Sequence, residues 1–368
     1  MIFHRNALRA SRDAGPIAAP AREFHERLPG YAMTPLRPAP ELARELGVGK
    51  VLLKDETERL GLPSFKVLGA AWAAHRALER AACGRTLVTA TEGNHGRAAA
   101  RVARLLGAGA HVLVPAGTAD ARIDAIRAEG ATVEVVPGSY DDAVARAAAL
   151  AGVVAPGAAA GAVPSGGAPG ANGRVLVQDT AWPGYERIPG WIVEGYCTIF
   201  AELADQLDAA GERADLVLLP VGVGSLACAG VRSLHGGPRL VAVEPEGAAC
   251  LLASLRAGSL TTVPGPHTSI MAGLNCGNVS SAAWPMLRDG LDAAVAVPDA
   301  VAIDGMRALA RLGIAAGECA GGVVGAARAL LTGPERDALG VAGDAVVVLP
   351  LTEGVTDATA YARLVGGA

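Results

Sequence analysis

Only three of the 32 Lys and Arg residues in this 368-residue chain are lysines, Lys50, Lys54 and Lys66. A guanidinium stays protonated, whereas a lysine can shed its proton and attack a carbonyl as an amine, so a retained lysine is a candidate for Schiff-base chemistry. Lys66 has the context for that role. Gly61, Pro63 and Ser64 mark a turn and Phe65–Leu78 reads as a helix, which puts Lys66 in its first turn. The helix macrodipole disfavours a cation there and is expected to help depress the pKa of the amine. Lys50 reads as an ordinary lysine at a loop or strand edge.

Three further constellations could do chemistry, each at the carboxyl end of a predicted strand, where parallel sheets carry their sites. Thr91-Glu92-Gly93-Asn94-His95-Gly96 opens a helix; its glycines admit close backbone approach, and Asn94 offers an amide to a phenolic oxygen or carboxylate, or else caps the helix. Gly222-Val223-Gly224-Ser225 follows an apolar strand, and its successive N–H groups and hydroxyl make a nest for a phosphate monoester. Extended to Ala227 the same run reads GxGxxA, and Glu244 ends the next strand twenty residues after Gly224, as in a dinucleotide-binding turn of an NAD enzyme. Gln178-Asp179-Thr180-Ala181-Trp182 places an aspartate in an aromatic, otherwise apolar turn. Desolvation would raise the Asp179 pKa toward neutrality and suit it to acid–base work, with a turn cap as the plainer reading. Near the C-terminus, Leu351-Thr352-Glu353-Gly354 sets a hydroxyl and a carboxylate after the last apolar strand, and capping again competes with function.

The elements that must position these residues alternate strand with helix. After an irregular N-terminal arm, strands are predicted at 50–54, 86–90, 110–114 and 131–136, with helices at 65–78, 94–106, 119–129 and 140–150. A Gly-, Pro- and Ala-rich stretch at 152–173 reads as a loop or linker. Beyond it come strands at 174–178, 216–220, 240–243, 293–297 and 345–349, separated by helices at 189–207, from 225, at 248–255, 300–312 and near 323–331. This βαβα alternation and the length predict two linked α/β domains with parallel sheets covered by helices, the second sheet being the larger.

Composition narrows the function classes. Net charge is −4 and no basic run exists, so neither nucleic acid nor an anionic membrane is an expected partner, and a small molecule is. The N-terminus is too charged for a signal peptide, and the longest uncharged stretch is broken by prolines, so no membrane span is expected. Six cysteines without metal-ligand spacing fit buried thiols in a reducing cytoplasm and no metal site, a Cys250–Cys276 disulfide being the one pairing weighed against that.

Taken together, KDETERLGLPSFKVLG (54–69), TEGNHGR (91–97), GVGS (222–225) and TEGVTD (352–357) resemble the pyridoxal-phosphate enzymes of the tryptophan synthase β-subunit class, fold type II. VQDTAWPGYERIPGWIVEGY (177–196), MAGLNCG (271–277) and GEC (317–319) bring the resemblance to the diaminopropionate ammonia-lyase family, from about residue 32 to the end. It implies two three-layer domains, a large one from 1–65 and 155–368 and a small one from 66–154, with the active site in the cleft between them. It also implies an assembly of two identical chains, a homodimer.

The resemblance further implies that Lys66, preceded by Phe65, holds pyridoxal 5'-phosphate covalently and that Asn94 bonds its phenolic oxygen. Gly222, Val223, Gly224 and Ser225 would cradle the phosphate, and Thr352 would face the pyridine nitrogen. Substrate amine would displace Lys66, Lys66 would take the α-proton, the β-amino group would leave with proton assistance, and the released aminoacrylate would hydrolyse to pyruvate and ammonia. Two family aspartates match Asp179 and Glu92, the second a departure by one methylene. Because that carboxylate serves proton transfer on the face opposite the lysine, turnover of the D isomer is expected to be weakened or lost. A serine or threonine dehydratase, or a β-replacement synthase, would use the same lysine, Asn94 and nest. The carboxylates Glu92 and Asp179 favour a substrate bearing an ammonium group instead.

Overall fold

The computed structural model describes residues 1–10, 19–79, 85–91, 93–154, 173–234 and 237–366. Eleven strands run in chain order as β1 (Ile2–Arg5), β2 (Leu36–Pro38), β3 (Lys50–Asp55), β4 (Thr86–Ala90), β5 (Gly109–Pro115), β6 (Thr132–Val136), β7 (Arg174–Leu176), β8 (Leu216–Pro220), β9 (Arg239–Pro245), β10 (Ala293–Val297) and β11 (Val346–Leu351). They form a seven-stranded sheet in the order β1-β10-β9-β8-β11-β3-β2 and a four-stranded sheet in the order β6-β5-β4-β7. The chain divides accordingly into two compact units, one of Met1–Ala19, Pro29–Phe65 and Tyr196–Ala368, the other of Pro20–Leu28 and Lys66–Gly195.

In the larger unit β8 and β10 are buried along their whole length, as expected of apolar runs covered on both faces. The β3, β11, β8, β9 and β10 strands are parallel, and their core joins Leu218, Val243, Val295 and Leu349 to Val323 and Leu330 of the helix Glu318–Thr332. The N-terminal arm is not irregular. Ile2–Arg5 pairs antiparallel with β10, and Leu36–Pro38 pairs antiparallel with β3. Such short edge strands owe their hydrogen bonds to residues far along the chain and leave no periodicity to read.

All four strands of the smaller sheet are parallel. Its β7 pairs with β4, Thr86 opposite Arg174, so the strand that follows the Gly-rich stretch joins this sheet, and the unit extends to Gly195 rather than ending at residue 154. Most of the stretch read as a loop, residues 155–172, lies outside the described residues.

A buried charge network in the larger unit holds the segment that leads to Lys66. Lys54 donates to Glu202 at 2.8 Å and to the Thr34 carbonyl at 2.9 Å, while Arg59 bonds Glu202 and Glu56. Both cations are fully buried. Burial pulls the Lys54 ammonium down from its usual range despite Glu202, and Glu202, which burial alone would push up, is held at about 2 by Arg59 and Lys54. Lys54 is thus retained for a structural ion pair, and the exposed Lys50 pairs with Glu212.

Candidate active site

Lys66 opens the helix Lys66–Leu78, and its Nζ donates to Asp179 Oδ2 at 3.0 Å, with the two side chains 19 % and 10 % exposed. The turn carrying Asp179 is fixed by aromatic and amide contacts. Gln178 Nε2 donates to Tyr140 Oη at 2.7 Å, while its Oε1 accepts from Thr89 Oγ1 and the Ala90 N–H. Tyr185 donates to the Leu176 carbonyl and accepts from the Gln178 N–H, and its ring stacks on Trp182 at 4.4 Å. Burial pushes the Asp179 carboxyl up, but the Lys66 ammonium beside it outweighs burial and holds it at about 2. The expectation of an Asp179 pKa raised toward neutrality is therefore corrected for the free amine: the turn is apolar, yet a cation stands within hydrogen-bond reach. For the same reason the macrodipole at Lys66 is countered by a carboxylate.

Asn94 is the first residue of the helix Asn94–Leu105, and the N-cap position belongs to Gly93 at φ +155°, so the capping reading of Asn94 is corrected. His95 completes the arrangement, which sequence reasoning passed over as part of the GNHG turn. It is buried; its Nε2 lies 2.8 Å from the Val177 carbonyl, and burial lowers its pKa. A carbonyl only accepts, so the neutral ring carries its proton on Nε2, and Nδ1 is buried with no hydrogen-bond partner among the described residues. Glu92 lies outside the described residues.

In the larger unit, Gly224 precedes the helix Ser225–Ser233 at φ +96°, and a Cβ there would fall 2.6 Å from Leu287 Cδ1. Among the described residues nothing accepts from the N–H groups of Gly222, Val223 or Gly224, and Ser225 is buried at their end. Phe65 meets Tyr196 edge to face at 4.8 Å. Thr352 is buried directly after β11, whereas Glu353 accepts the N–H of Cys319 at 2.9 Å and so caps the helix Glu318–Thr332. Glu244 is likewise structural. Fully buried, it accepts the N–H groups of Leu251 and Leu252 at 2.8 Å each, and burial raises it to about 8 despite those bonds. A buried carboxyl group turned into a helix start is not free to bind a ribose, which removes the dinucleotide reading. No disulfide joins Cys250 to Cys276, and among the described residues no three His, Cys, Asp or Glu side chains group as metal ligands.

Residues 27–353 match the family described as pyridoxal-phosphate dependent enzyme, and the chain belongs to that family. It is similar to the diaminopropionate ammonia-lyase of Escherichia coli K12, 35% identical over 94% of this chain and 90% of that protein. The crystal structure of the E. coli diaminopropionate ammonia lyase with an aminoacrylate-PLP azomethine reaction intermediate superposes with a TM-score of 0.87 at 33% identity, covering 99% of this chain and 96% of that one. Maize serine racemase, 20% identical with a TM-score of 0.74, shares the fold. The resemblance read from the motifs and the fold type II α/β architecture are both borne out.

The residues present fit pyridoxal phosphate. Three successive amides with no acceptor among the described residues, at a helix start, suit a phosphate monoester. A Cβ at Gly222 would lie 3.0 Å from the Gly273 carbonyl and 3.3 Å from Cys276 Sγ, so a side chain there would press on both neighbours.

Proposed function

We propose that the chain eliminates ammonia from 2,3-diaminopropionate or a close analogue, giving pyruvate and ammonia, with Lys66 as covalent anchor and base. The observation that carries the reading is the Lys66–Asp179 pair at 3.0 Å. A carboxylate beside the lysine supports a substrate whose side chain bears an ammonium group, which a hydroxyl substrate of a serine or threonine dehydratase would not need. Pyridoxal phosphate, when bound, supplies an electron-withdrawing ring that stabilises negative charge at the substrate α-carbon. Gly222, Val223, Gly224 and Ser225 would hold its phosphate, Asn94 its phenolic oxygen, and Phe65 and Thr352 would line its ring. A neutral Thr352 hydroxyl would leave the pyridine nitrogen largely unprotonated, which suits elimination.

Lys66, displaced by the substrate amine, takes the α-proton. Asp179 holds the β-ammonium and keeps a proton at the departing nitrogen, so that ammonia leaves as a neutral molecule. Burial disfavours the charged form of His95, which leaves Lys66 as the principal cation beside Asp179. Glu92, one methylene longer than the family aspartate, serves the opposite face less well, and the D isomer is turned over more slowly than the L isomer. The scattered thiols support a cytoplasmic setting, and the family supports a homodimer; no helix among the described residues is long and apolar enough to cross a membrane.

The test is the visible absorption spectrum of the purified protein, taken before and after borohydride and beside Lys66→Ala. A yellow band that borohydride abolishes and the variant lacks is the expected result, followed by pyruvate release from L-diaminopropionate above that from serine or threonine. A colourless protein that gains no band on adding pyridoxal phosphate refutes the reading. Equal turnover of D- and L-diaminopropionate refutes the role given to Glu92.

A further inference from the structure

The amino ends of the parallel strands lie at the edge of the large sheet opposite the Gly222–Ser225 turn, and four arginines gather there. Arg213 comes three residues before β8, Arg239 opens β9, and Arg5 closes β1 opposite Ala293 of β10, with Arg9 beyond it. Two adjoining cavities of about 440 and 300 Å³ are lined by these side chains, and Arg9 and Arg239 line both.

Among the described residues two carboxylates share the space, Asp215 and Asp292, and both are committed to the sheet. Asp215 Oδ2 accepts the Val346 N–H and Asp292 Oδ2 the Leu240 N–H, each at 2.8 Å, while the other Asp292 oxygen pairs with Arg9. Arg239 is steadied by the Gly340 carbonyl at 3.2 Å. Arg5 and Arg213 have no side-chain hydrogen bond or ion pair among the described residues. Among the described residues, four guanidiniums against two carboxylates leave a local excess of positive charge in a chain whose net charge is −4. Like charges so gathered repel one another unless an anion joins them.

We propose that the two cavities form one binding site for a diphosphate or triphosphate chain, separate from the cofactor's phosphate. A planar guanidinium offers two parallel N–H donors to one phosphoryl group. Two such forks, anchored separately by Asp292 and by Gly340 and shared by both cavities, match consecutive phosphoryl groups better than a single carboxylate. Cavities of a few hundred Å³ also hold ligands of that size.

Calorimetric titration of the cofactor-loaded enzyme with inorganic pyrophosphate, ADP and adenosine tests the site, because the nest at Gly222–Ser225 is then filled. Saturable binding of pyrophosphate and ADP, one per chain and weakening with salt, is expected, with none of adenosine. Tighter binding of ADP assigns the source as a nucleotide, and equal binding assigns it as the phosphate chain alone. Losing one charge-assisted bond raises Kd about tenfold or more, so Arg213→Ala and Arg239→Ala should each do so with visible band and turnover unchanged. Arg213 makes no side-chain bond among the described residues, so its removal leaves the fold intact, which an unchanged melting temperature would verify. Absence of saturable heat, adenosine binding as tightly as ADP, or a Kd that either substitution leaves unchanged overturns the proposal.

Discussion

Replacing Asp179 by Asn tests the electrostatics of the site without changing its shape. In the cofactor-free protein the Lys66 amine carries its proton and sits 3.0 Å from the carboxylate, and that pairing holds Asp179 at about 2, against an ordinary value of 3.8. A folded-state pKa below the unfolded one stabilises the fold above the unfolded value and ceases to do so as pH falls through the folded one. The difference corresponds to about 2 kcal/mol at pH 7, with roughly half of it left near pH 3 and almost none by about pH 1. Urea denaturation of cofactor-free wild type and Asp179→Asn is the assay. The variant should be about 2 kcal/mol less stable at pH 7, the gap narrowing as pH falls from 4 to 2, with unchanged m-values. A gap that stays constant down to pH 3 would refute the reasoning, because it would come from packing rather than from the ion pair. In the cofactor-loaded enzyme the Lys66 nitrogen is covalently engaged, so the same substitution should show there as a fall in kcat/KM for L-diaminopropionate instead.

Two other perturbations have definite outcomes. Gly224→Ala forces a Cβ to 2.6 Å from Leu287 at a left-handed backbone position, so pyridoxal-phosphate affinity, read by titration of the visible band, should fall about tenfold or more. Glu244 is raised by burial to about 8, so it is neutral in the fold at pH 7 but ionised in the unfolded chain, and its contribution to stability declines as pH rises from about 4.5 to 8. Glu244→Gln should flatten that dependence in urea midpoints measured at pH 5 and pH 8; a slope as steep as in wild type would show that the carboxyl is ionised in the fold.

The local signals that survive without tertiary context were legible in the chain. Apolar runs such as Leu216–Pro220 and Ala293–Val297 mark their strands to the residue because a strand buried on both faces needs no partner to be recognised. The scarcity of lysine and the turn before it singled out Lys66, and the GVGS run marked a helix start whose amides look outward, because backbone conformation and N–H direction are set within a few residues.

What depended on residues far apart was decided only by the fold. The edge strands Ile2–Arg5 and Leu36–Pro38 exist through hydrogen bonds to β10 and β3, and β7 joined the smaller sheet because its partner is β4, which no local pattern encodes. The ionisation of Asp179 and the roles of Glu244 and Glu353 were settled the same way. An apolar neighbourhood in sequence suggests desolvation, but Asp179 is lowered because the chain folds the Lys66 cation against it, whereas Glu244, which meets only N–H groups, stays raised by burial; that Glu353 meets a helix start is equally invisible in the sequence.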